Sequence, residues 1–156
     1  MTQAATTTQI FDILTQDHRD VMQRLDRILA SPAADMESLR MAFAPVRAML
    51  LAHALAEERA FYSRLKQNAR TEQTALSAGG EHEIMTRLIE DLSGYGLNRD
   101  EFLSLLRGLA DLTREHIETE EGPIFAEARQ VFDRAMLDEM ARSMIIEKSR
   151  MLQAVA

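Results

Sequence analysis

The sequence predicts an all-α protein, an antiparallel up-and-down four-helix bundle with an additional C-terminal helix. Three observations predict it. Apolar residues recur at steps of three and four along five successive segments, the spacing that lays them on one face of a helix. Strong helix formers are plentiful among the 156 residues, while glycine (6) and proline (3) are scarce. The connections between segments are short, which favours antiparallel neighbours. No strand-like alternation competes and no linker interrupts the chain, so 1–156 reads as a single domain.

Each segment carries its own signals. The first, about 8–30, has the stripe Phe11, Leu14, Val21, Met22, Leu25, Ile28 and Leu29, with Thr15 as a candidate cap for its second part and a break expected there. The second, about 36–67, opens behind Asp35 as a cap and contains Pro45, which should kink or restart it. Beyond the proline its inward face reads Val46, Leu50, His53, Glu57, Phe61 and Leu65. The third, about 71–92, is weakened by Gly79-Gly80 and is expected to begin with a separate short helix. The fourth, about 99–131, opens on a capping box from Asn98 to Glu101. Its stripe is Phe102, Leu105, Leu109, Leu112, His116, Glu120 and Ile124, and Pro123 should disturb its last turns. The fifth, about 134–154, presents Met136, Leu137, Met140, Met144, Ile145, Met151 and Leu152 and should pack along the outside of the bundle.

Composition narrows the function classes. A formal net charge of −7 argues against a nucleic-acid partner, which calls for a basic face, and equally against an anionic membrane surface. The absence of cysteine excludes disulfides, iron–sulfur clusters and thiolate zinc sites. No uninterrupted apolar stretch of roughly 18 residues occurs, so no membrane is expected as a partner. The N-terminal MTQAATTTQIFDIL shows no basic region and no long apolar run, so a signal peptide is not expected and a cytoplasmic location is the default.

The chemistry lies in the four histidines. His18, His53, His82 and His116 fall one to each of the first four segments, each on the apolar stripe. Two of them have a glutamate four residues on, His53–Glu57 and His116–Glu120, and a step of four leaves two side chains about 40° apart on a helix. Both members of a pair therefore reach one point in the core. Glu58 and Glu121 point about 140° away by the same count and belong behind the site or at the surface, although Pro123 makes Glu121 a competitor for Glu120. The chain also repeats itself: HALAEERAFY matches HIETEEGPIF, and Asp17-His18 matches Glu81-His82 at nearly the same offset, as two helical hairpins related by a pseudo-twofold would. A single core histidine needs only a hydrogen-bond partner, but four of them with two buried glutamates need a shared charge. Imidazole with carboxylate suits iron, manganese or zinc and suits calcium or magnesium poorly. Four imidazoles and two carboxylates suit two ions, with iron the best fit. Tyr62 falls about 180° from His53 by the helical count, which gives it a packing role.

These motifs resemble the hemerythrin-like family, the HHE cation-binding domain. The residues that carry the resemblance are His18 in DHRDVMQRL, His53 and Glu57 in HALAEERAFY, His82 in EHEIMTRL, and His116 and Glu120 in HIETEEGPIF, across about residues 10–130. The resemblance implies a bundle around two iron ions, oxo- or hydroxo-bridged, with manganese or zinc less favoured. It implies that His18 and His53 serve one ion, His82 and His116 the other, and that Glu57 and Glu120 bridge them. The oxygen-carrying members have a further histidine where this chain has Thr86, and an aspartate where it has Glu121, so a four-histidine variant with an open or water-held position is implied. The expected function is binding of, or reaction with, oxygen, peroxide or nitric oxide in sensing, scavenging or storage. The alternatives are a di-iron peroxidase or catalase-like enzyme, and a helical interaction protein whose metal only staples the fold. The partner so implied is a small diatomic or peroxide ligand; the sequence names no protein partner.

Overall fold

The computed structural model describes residues 9–31 and 35–155, the side chain of the last excepted. Its elements, in chain order, are α1 (Ile10–Leu29), α2 (Met36–Glu57), a π-turn at Glu58–Tyr62, α3 (Ser63–Leu65), α4 (Glu72–Ser93), α5 (Arg99–Thr119), a second π-turn at Glu120–Ile124, α6 (Phe125–Val131) and α7 (Arg134–Val155). No strand occurs among the described residues. The fold is a helical bundle of α1, α2, α4 and α5 with α7 as the additional helix.

Caps and breaks obey local chemistry. Asp35 Oδ1 accepts from the Ser38 backbone N–H at 2.7 Å and starts α2. Asn98 and Glu101 form the reciprocal capping box that starts α5. The break expected at Thr15 does not occur. Instead α1 runs unbroken from a cap at Gln9, whose N–H donates to Asp12 Oδ2 at 3.3 Å. The expected start of that segment at residue 8 lies outside the described residues. α2 likewise passes through Pro45, which faces solvent beside the exposed Met41, so the carbonyl that the proline leaves unpaired can turn to water. Gly79-Gly80 does not divide α4 either. A Cβ at Gly79 would stand 3.4 Å from Glu58 Oε1, so this glycine admits a carboxylate from the neighbouring helix.

The core is split in two, and the split positions the site. One apolar cluster gathers Phe11, Leu14, Phe61, Tyr62, Ile124 and Phe125 with others at one end of the bundle. The second gathers Val21, Leu25, Leu50, Met85, Phe102 and Leu106 with others at the other end. On every helix of the bundle the histidine falls between the two: after Leu14 and before Val21 on α1, for example. α7 lies along α2 and the first π-turn. It is held by the buried side chains of Met140, Ala141 and Met144, while Ile145 on the expected stripe is exposed. Ion pairs Arg59–Glu147 and Arg64–Glu139 border it, though partly exposed pairs of this kind add little. By length and composition alone, the rod Met36–Leu65 could cross a membrane, although charged residues such as Arg40 and Arg47 interrupt it. In the fold that rod carries Val46, Leu50, His53 and Glu57 into the bundle interior.

Candidate metal centre

The four helices each project one histidine into the layer between the two clusters. His18, His53, His82 and His116 are buried, and Glu57 and Glu120 are fully so. The structure thus brings all six candidate residues to one place. Glu57 Oε2 stands 3.5 Å from His53 Nε2 on its own helix and 3.2 Å from His82 Nε2. Glu120 Oε2 stands 3.6 Å from His116 Nε2 and 3.1 Å from His18 Nε2. Each glutamate is therefore shared between its own helix and a neighbour, the arrangement that the two matching motifs require.

Every Nε2 faces inward because every Nδ1 is held from behind by a carboxylate. Asp17 on α1 meets His53 on α2 at 3.2 Å, and Glu58 after α2 meets His82 on α4 at 3.2 Å. Glu81 on α4 meets His116 on α5 at 2.6 Å, and Glu121 after α5 meets His18 on α1 at 2.8 Å. The four braces form a closed ring around the bundle. A carboxylate on Nδ1 makes that nitrogen the N–H donor and leaves the Nε2 lone pair for a cation. Glu121 consequently lies behind His18 and Glu120 faces the centre, because the π-turn begins at Glu120 and leaves the His116–Glu120 step helical. Helical counting places Glu58 and Glu121 off the stripe but assigns no role to Asp17 and Glu81. The signal is present, since the acid-His pair recurs in both halves. Two braces are themselves anchored: Lys148 of α7 donates to Asp17, and Lys66 donates to Glu58 at 2.7 Å.

Inside the ring the imidazoles and the two glutamates face mainly one another. His18 Nε2, His53 Nε2, both oxygens of Glu57 and Glu120 Oε2 are buried without a hydrogen bond. The Nε2 atoms of His82 and His116 are 3.1 Å apart. Without a cation, burial and then the charge of Glu120 push Glu57 well above the usual carboxylate range. Burial opposes charge on His18, yet the Glu120 carboxylate beside it lifts the imidazole to about 9. Buried orphan donors and acceptors of this kind cost about 1–3 kcal/mol each unless something pairs with them. Two groups of ligand atoms could each hold an ion: His18, His53, Glu57 and Glu120, and Glu57, His82 and His116. Donor chemistry, orphaned atoms and burial all fit a metal.

Tyr62 corrects the helical count. The π-turn inserts one extra residue and rotates the side chains beyond it by about 100°. Tyr62 therefore points inward, fully buried, and its hydroxyl donates to Glu120 Oε1 at 3.0 Å. Burial, and then the Glu120 and Glu57 charges, raise the phenol well above its usual range and keep it a donor. Its counterpart in the second motif is Phe125, which has no hydroxyl, so Glu57 receives no such bond. Tyr62→Phe should lower the unfolding free energy of the metal-loaded protein by about 1.5–3 kcal/mol, the range for a hydrogen bond to a charged group. Urea titration checks this, and an unchanged midpoint and slope would show that the hydroxyl is not bonded there.

Residues 9–128 match the hemerythrin HHE cation-binding domain. The chain belongs to the hemerythrin HHE cation-binding family. It is a metal-binding protein of the hemerythrin-like type, with the histidines and glutamates of both motifs in place. A curated relative, named a DNA nickase, from Nostoc sp. (strain PCC 7120 / SAG 25.82 / UTEX 2576), is 27% identical over 144 residues. That match covers 92% of this chain and 40% of the relative, so the hemerythrin-like chain spans well under half of the relative's length. No solved structure matched. Thr86, where the oxygen-carrying members have histidine, donates its hydroxyl to the His82 carbonyl at 2.9 Å. It lines a cavity of about 20 Å³ whose wall includes all four histidines and apolar side chains such as Val21, Leu50 and Met85.

Proposed function

We propose that this protein holds two non-haem iron ions and binds or reacts with a small ligand, oxygen, peroxide or nitric oxide. His18 and His53 would hold one ion and His82 and His116 the other, with Glu57 and Glu120 supplying the carboxylates. The observation that carries the reading is that the two candidate ligand groups share Glu57, so that ions held by them would lie side by side and not far apart in the bundle. Iron is favoured by the mixed imidazole and carboxylate donors. Bound iron would supply electron exchange with the small ligand; the protein's part is to orient the Nε2 atoms, exclude bulk water and leave one position without a side-chain donor. Thr86 lines the cavity beside the histidines but would supply no ligand, because its hydroxyl is committed to its own helix. A cavity of about 20 Å³ takes roughly one water-sized molecule, which matches a ligand of one or two heavy atoms. The relative's name describes an action on DNA, but a net charge of −7 gives binding to a phosphate backbone no electrostatic support.

Elemental analysis with an absorption spectrum of protein from iron-replete cells tests the reading. About two irons per chain are expected, one for each of the two ligand groups that share Glu57. One ion per chain, or zinc in every preparation, would overturn the di-iron assignment.

A further inference from the structure

The cavity that meets all four histidines shares lining residues with an open groove between α2 and α4. We propose that the small ligand reaches the centre between α2 and α4, past Leu51, Ala54 and Thr86; this rests on the small-ligand reading above. A groove of about 700 Å³ runs along that seam on the outside of the bundle. It shares Leu51, Ala54, His82 and Thr86 with the inner cavity, so these residues bound both spaces. α2 and α4 meet only loosely along this seam, in contrast to α4 and α5. Gly79 and Gly80 add no side chain to the groove, and Ala54 adds only a methyl group. Leu51 is partly buried and lines both spaces, so a change of its rotamer would widen or close the wall between them. The hydroxyl of Thr86 is tied to the His82 carbonyl, so the neck between groove and cavity offers mainly apolar groups, while charged side chains such as Glu83, Arg87 and Glu90 line the outer groove. Such a port admits neutral molecules of about two heavy atoms and slows ions, which lose hydration there.

A second way out exists and is poorer. The inner cavity also shares Asp17, Val21 and His53 with a cavity of about 30 Å³ under α7, lined further by Met49, Ala52, Lys148 and Leu152. That wall contains the Asp17–Lys148 ion pair, so opening it costs the anchor of the carboxylate that braces His53.

The test is the association rate of nitric oxide with the iron-loaded protein, followed by stopped-flow absorption, with iron content measured on each variant. Leu51→Trp should retain its iron and bind nitric oxide roughly tenfold more slowly, a change of one decade in rate. Leu51→Ala should bind it faster, and Leu152→Trp, on the other path, should match the wild type. A wild-type rate in Leu51→Trp, or slowing by Leu152→Trp alone, overturns the port while leaving the small-ligand function standing. If Leu51→Trp loses iron, an unchanged rate in Leu51→Ala overturns the port. Absence of nitric oxide binding by the iron-loaded wild type overturns the functional reading and the port with it.

Discussion

Glu57→Gln is expected to empty the centre of metal, while Glu58→Gln, one residue along, only weakens it. Glu57 is the residue common to both ligand groups and touches a histidine of each. An amide of the same shape keeps the packing but removes the charge and half of the donor capacity. An ion held by either group would lose a ligand, so the loss should exceed the roughly 10–100-fold in affinity typical of a residue behind the ligands. Glu58 is such a residue: its Oε1 holds His82 Nδ1 at 3.2 Å and its Oε2 holds Lys66. Glu58→Gln should therefore lower affinity by roughly 10–100-fold and still fill at saturating metal. Metal titration with elemental analysis measures both. The metal-free Glu57→Gln protein should melt no lower than the metal-free wild type, because it removes an acid that burial and Glu120 already disfavour. If Glu58→Gln empties the site and Glu57→Gln does not, the two glutamates have been given each other's roles.

Removing the metal is the second large effect. The metal-free centre keeps buried, orphaned oxygens on Glu57 and Glu120 and two imidazole nitrogens 3.1 Å apart. A cation held only by the native state stabilises it by about 4.1 kcal/mol when its free concentration is a thousand times its dissociation constant. For a chain of this length, each kcal/mol moves the midpoint by about 2–4 °C, so chelation should lower Tm by roughly 10 °C. Calorimetry before and after chelation, with reloading as the control, gives the answer. Equal midpoints would mean that the six residues are not held together by an ion.

The sequence by itself determined the all-helical bundle and the meeting of six side chains. The reason is periodicity: a histidine on the apolar stripe of each of four helices must enter the core, and a glutamate four residues on must enter beside it. Caps at Asp35 and Asn98 were legible because their hydrogen bonds are local. The tertiary structure decided whatever depends on a second helix or on a change of helical phase. The expected breaks at Thr15 and Gly79-Gly80 are absent because packing outweighs local propensity of about 1 kcal/mol. Tyr62 escapes the helical count because one residue inserted in a π-turn rotates the later side chains by about 100°, and no residue-by-residue count contains that step. The ring of Asp17, Glu58, Glu81 and Glu121 behind the histidines joins residues of different helices. The repeat in the sequence marked these acids, but only helix–helix geometry could say which imidazole each one holds.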